Sequence, residues 1–129
     1  MARTSTRTPM GKFFADSVKH AKYRAKNRYL CEFDNCITPD FLMGLYTAQN
    51  GKCVLSGMEM ELTRGGDWNG GKNPMVCSID RKDPTGGYTI DNVQLACAKW
   101  NVIKESMSNK EWFAMCEAGA SMALLQRLM

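Results

Sequence analysis

The chain has 129 residues, 44% of them hydrophobic and 23% charged, with a formal net charge of +4. Those values describe an ordinary globular domain with a modest core. No apolar run is long enough to span a bilayer, and the basic N-terminus leads into no apolar segment, so neither a membrane partner nor a secretory signal is expected.

The charge is unevenly placed. Residues 1–28 hold Arg3, Arg7, Lys12, Lys19, Lys22, Arg24, Lys26 and Arg28 against Asp16, a balance of +7 that leaves the rest of the chain at −3. An excess confined to one segment, without a strongly apolar face, points to a polyanion, DNA before membrane. Six cysteines lie singly in apolar segments with no Cys-x-x-Cys among them. They read as reduced, buried thiols of a cytoplasmic protein in a reducing compartment.

Residues 1–9, rich in Thr, Ser and Arg and closed by Pro9, read as a disordered arm. A helix follows over 11–29, with Phe13, Phe14, Val18, Ala21 and Ala25 near one side and Lys19, Lys22 and Lys26 on another. That lysine stripe either lies along a phosphate backbone or is a solvated face. The arm and helix (1–28) form one unit, and 29–129 form the domain proper. His20, the chain's one histidine, sits on the basic helix.

Residues 30–37 predict a short strand. Thr38-Pro39-Asp40 then opens a helix, with Thr38 as cap, Pro39 at the first position and Asp40 favourable to the dipole. Phe41, Leu42, Leu45 and Tyr46 are its core stripe, and Asn50-Gly51 stops it. Cys53 to Met60 reads as a strand or turn. Thr63 to Pro74 is a loop whose Trp68 either wedges into DNA or folds back over the core. Ser108-Asn109-Lys110-Glu111 is a capping box for a helix carrying Trp112, Phe113, Met115 and Cys116. Gly119 is expected to break that helix. The Met- and Leu-rich end beyond it either packs on the body or forms a homodimer.

The stretch from Met75 to Lys104 organises the rest. Met75-Val76-Cys77 and Val93-Gln94-Leu95-Ala96-Cys97 predict two strands joined by a polar loop containing Pro84, Gly86 and Gly87. From Ala98 the apolar spacing turns helical. Such a unit can bring Asp80 on the first strand to Asn101 on the helix, two hard oxygen donors of the type that suits magnesium. The fold class is α+β, with helices at both ends clasping a two-stranded finger.

At these residues the chain resembles the HNH endonucleases, whose core is the ββα-metal (His-Me) finger. Asp80 matches the family's first acidic position, Asn92 its middle Asn, Asn101 its last, and Lys104 the Lys that trails by three. Cys53-Val54-Leu55-Ser56-Gly57 and Cys97-Ala98-Lys99-Trp100-Asn101 resemble its two Cys-x-x-Cys segments, so the likeness covers roughly residues 49–104. The resemblance implies cleavage of DNA by hydrolysis of phosphodiester bonds with one divalent ion, Mg2+ or Mn2+, held by Asp80 and Asn101. It implies that Asn92 fastens the loop, that Lys104 touches a phosphate or orients the helix, and that the source is a phage or mobile element.

Two departures stand out. Arg81 occupies the place of the family's general-base His, and arginine is not deprotonated in a protein. It is left to clamp a phosphate, with Tyr88 or His20 as side chains that can serve as base. Ser56 and Trp100 replace the second Cys of each pair, so a structural zinc is not expected. The alternative function is a DNA-binding module that descends from such a nuclease and has lost its catalysis.

Overall fold

A computed structural model describes residues 8–65 and 73–129. The predicted disordered arm and Trp68 therefore fall outside the described residues, all but Thr8 and Pro9. Among the described residues the elements are four α-helices, one π-helical turn and a two-stranded antiparallel sheet, an α+β arrangement.

Helix α1, Pro9–Arg24, starts two residues before the expected boundary. The hydroxyl of Thr8 accepts the Gly11 N–H at 2.9 Å and Pro9 needs no N–H partner at the first helical position. Its inner side buries Phe13, Phe14, Ser17 and Ala21, while Lys19 and Lys22 stay exposed. The helix widens into a π turn, Ala25–Tyr29, which ends on Leu30 in the left-handed region at φ 51.

No strand forms over 30–37. Phe33 makes a single bridge to Tyr88, with Tyr88 N–H on the Glu32 carbonyl and Asp34 N–H on the Tyr88 carbonyl. The Asp34 carboxylate then takes the Cys36 N–H at 2.8 Å, and the Asp34 carbonyl takes that of Ile37. A local turn wins over further ladder rungs. Gly87 is needed where this segment passes, because a Cβ there would lie 2.4 Å from Glu32 Cγ and 3.0 Å from its carbonyl oxygen.

Helix α2, Pro39–Ala48, has the expected start, with Phe41 N–H on the Thr38 hydroxyl. Asn50 and Gly51, at φ 56 and 68, end it. Leu42 is its fully buried residue, and Phe41, Leu45 and Tyr46 are half-buried, Tyr46 edge-on to Phe14. The following 52–60 segment is a knuckle closed by a Lys52–Glu59 bridge, not a strand.

Strand β1, Cys77–Arg81, pairs antiparallel with β2, Val93–Cys97, in the register Cys77↔Cys97 to Arg81↔Val93. It begins two residues later than the sequence suggests, since Val76 is used in a bridge to Glu61. Every β2 residue is buried. The loop between the strands is held by Asn92, whose Oδ1 accepts the Asp83 N–H while its amide donates to the carbonyls of Asp83 and Gly87.

Helix α3, Ala98–Lys104, leaves β2 with no intervening loop. Its apolar Val102 and Ile103 face solvent, 74% and 47% exposed, whereas Lys104 is fully buried. Helix α4, Asn109–Leu128, has the expected capping box. The Ser108 N–H and hydroxyl hold the Glu111 carboxyl below the ordinary range. The helix runs straight through Gly119, which an unbroken hydrogen-bond ladder permits at a cost of about 1 kcal/mol. Beyond Trp112 all of α4 is exposed, so the apolar positions that the sequence offers for pairing with a second copy are uncovered.

The cysteines are less uniform than their sequence context implies. Cys53, Cys77 and Cys97 are buried, Cys31 is intermediate, and Cys36 and Cys116 are exposed. Burial pushes the Cys77 and Cys97 thiols up to about 12, so both keep their protons near neutrality. Among the described residues no helix is long and apolar enough to cross a membrane.

Candidate functional site

Side chains alternate along β1, so Ser78 and Asp80 share one face and Ile79 and Arg81 the other. Two residues of strand advance about 6.6 Å, and three residues of helix about 4.5 Å. These steps are close enough for Asn101 and Lys104, one turn apart on α3, to meet Ser78 and Asp80. The Asn101 amide donates to Ser78 Oγ at 3.1 Å. The Lys104 ammonium lies 3.0 Å from Asp80 Oδ2 and donates to the Arg81 carbonyl at 2.7 Å. Lys104 thus orients α3 from inside the core, and its charge does not reach solvent in this arrangement.

Asp80 is 6% exposed. Its Oδ2 takes a second bond from Gln94, its cross-strand partner, at 2.7 Å. Gln94 exchanges two amide hydrogen bonds with Asn109, which ties the start of α4 to the same carboxylate. Among the described residues nothing donates to Asp80 Oδ1 or Asn101 Oδ1.

Asp80 and Asn101 both line a cleft of about 480 Å³. Arg24, Arg28 and Tyr29 form one wall, brought there by the end of α1 and its π turn. Arg81 lines the cleft too. Its guanidinium stacks 4.0 Å over the Tyr29 ring, lies 5.4 Å from that of Tyr88, and donates to the Gly86 carbonyl at 2.8 Å. Glu105, the residue that follows α3, lines the cleft as well. Three arginines and the ammonium behind Asp80 outnumber the carboxylates of Asp80 and Glu105, so the field favours an anionic guest.

Of the two side chains named from sequence as bases, Tyr88 is poorly set for that work. Tyr88 is 2% exposed, and burial pushes its phenol above the ordinary value, against the opposing effect of Arg24, whose Nε–H it accepts at 3.3 Å. His20 lines a small neighbouring hollow that shares Arg24, Ser78 and Ile79 with the cleft. Lys19, Lys22 and Lys26 are exposed and do not line the cleft.

Sequence reasoning missed Arg24, Arg28, Tyr29 and Glu105. The spacing of Arg24 and Arg28 was visible, but the π turn shifts the helical phase just where they lie. Glu105 carries the clearest signal in the backbone. Its φ of 51° and ψ of −114° suit glycine, and for another residue cost about 1–3 kcal/mol.

The donor set fits a hard divalent cation. Asp80 and Asn101 carry hard oxygen donors and line one cleft, and a magnesium ion bound through so few protein oxygens would keep several of its waters. Among the described residues no three His, Cys, Asp or Glu side chains converge. At the knuckle, Cys53 Sγ accepts the Cys97 N–H at 3.2 Å, and the Trp100 indole donates to Met58 Sδ at 3.3 Å. Trp112 closes the back of it by donating to the Leu55 carbonyl and packing edge-on to Trp100.

No protein-family model, no curated protein and no solved structure matches the chain.

Proposed function

We propose that the chain is a metal-dependent DNA endonuclease of the HNH type, with β1, β2 and α3 as its ββα-metal finger. The observation that carries this reading is the shared cleft of Asp80 and Asn101, flanked by Arg24, Arg28 and Arg81. A hard cation and a phosphodiester would each find complementary groups there. The bound ion would neutralise charge developing on the phosphate and leaving oxygen.

The chain's own residues do the positioning. Gln94 and Lys104 hold Oδ2 of Asp80 and leave Oδ1 without a hydrogen-bond donor among the described residues. Ser78 fixes the Asn101 amide nitrogen and leaves the carbonyl oxygen without a donor among the described residues. Arg24 and Arg28 supply charge to a strand's phosphates, and Arg81, stacked on Tyr29, holds the cleft's edge. Asn92 keeps the loop carrying Gly86 in place beneath Arg81.

A second reading has its own support. Arg81 stands at the base position and is already engaged by Gly86 and two tyrosines, which is what a DNA-binding module without catalysis would retain. Supercoiled plasmid separates the two. Wild type with Mg2+ or Mn2+ is expected to nick it, and Asn101→Ala to do so only at background. Binding by both proteins with cleavage by neither favours the module. In either case Arg24→Gln/Arg28→Gln should flatten the log–log salt dependence of duplex binding by about 0.9 for each phosphate that is no longer neutralised.

A further inference from the structure

Hydrolysis needs an acceptor for the proton of the attacking water, and Arg81 is not one. We propose that Glu105 is that general base, an assignment that rests on the endonuclease reading above. Asp80, Tyr29, Tyr88 and Glu105 line the cleft with groups able to take a proton, while His20 lines the adjoining hollow and Tyr29 is stacked against Arg81. Asp80 is committed to Lys104 and Gln94. Tyr88 is buried, with its phenol pushed up, and holds its proton near neutrality. The Ser78 hydroxyl is spent on the Ala96 carbonyl and the Asn101 amide.

Glu105 is free by comparison. It is exposed, it lines the same cleft, and among the described residues its carboxylate makes no hydrogen bond or ion pair. It follows α3 directly, its own N–H bonded to the Asn101 carbonyl at 3.0 Å, so it is one helical turn from the candidate ligand. Its backbone adopts a conformation natural to glycine. A carboxylate kept where glycine would be unstrained is a feature that packing does not account for, and strained residues of this kind gather at active sites.

The step balances without a further reactant. The water oxygen forms a new bond to phosphorus and its proton passes to the Glu105 carboxylate. The bond from phosphorus to the leaving sugar oxygen breaks, and that oxygen takes a proton from solvent. Glu105 then returns its proton to solvent.

The test uses the full chain, supercoiled plasmid and Mg2+. Glu105→Gln and Glu105→Gly are each expected to slow nicking by about 10²–10⁴-fold, the usual worth of a positioned base. The Mg2+ concentration giving half-maximal rate should stay within about twofold of wild type, which separates a base from a metal ligand. Glu105→Gly should melt no lower than wild type, and added acetate or formate should restore part of its rate. A glycine variant that nicks as fast as wild type, or a slow one that no small carboxylate rescues, overturns the assignment while leaving the endonuclease reading intact. A wild-type chain that binds plasmid and never nicks it removes both.

Discussion

Replacing Lys104 by methionine is expected to lower the unfolding free energy by about 3–5 kcal/mol, read from urea denaturation. Methionine fills most of the volume of the lysine stem, so the loss is chiefly electrostatic. Lys104 is fully buried against an Asp80 that is 6% exposed. Removing the ammonium leaves that carboxylate with Gln94 as its one remaining donor among the described residues, and takes a donor from the Arg81 carbonyl as well. The cost comes from the stranded charge more than from any large worth of the pair itself. Asp80→Asn/Lys104→Met should therefore be more stable than Lys104→Met alone. A single-variant loss below about 1 kcal/mol would mean the pair is solvated in solution and does not anchor α3. Domains hold only about 5–15 kcal/mol in total, so a loss of about 3–5 kcal/mol is a large fraction of the whole.

How much of this was legible beforehand follows from how local each determinant is. Thr38-Pro39, Asn50-Gly51 and Ser108 to Glu111 act over a few residues, and the helix ends they mark lie where the sequence puts them. The two strands and the helix after them were likewise readable, from alternation and then helical spacing. The 30–37 segment was not, because the Asp34 turn competes with strand pairing and its strength cannot be weighed from composition. Lys104 was the largest surprise. A lysine ending a short helix reads as solvated, and only Asp80, brought beside it by the register of β1 and β2, makes its burial tolerable. With Lys104 turned inward, Val102 and Ile103 are turned outward, against the apolar spacing that had announced the helix. Asp80 and Asn101 stand out together in the sequence and both line the cleft; the arginines that line it with them depend on the π turn, for which the sequence offers no comparable signal.

The same ion pair complicates the most direct test of the catalytic proposal, and a set of four proteins resolves it. Asp80→Asn is expected to abolish metal-dependent nicking, since a carboxamide is a far weaker partner for a hard dication than a carboxylate. It also strands the buried Lys104 ammonium, so a loss of activity in that variant alone could reflect unfolding. Asp80→Asn/Lys104→Met removes both charges together, and should recover much of the lost stability while remaining at background in the plasmid assay. Lys104→Met keeps Asp80 and loses only a group that orients it. Per folded molecule its rate should fall by about 10–100-fold, the usual consequence of removing a partner behind a metal ligand. The informative contrast is between the double variant and Lys104→Met, because the more stable of the two should be the less active. If the double variant nicks plasmid as wild type does, Asp80 serves only to bury Lys104, and the cleft's chemistry belongs to some other group.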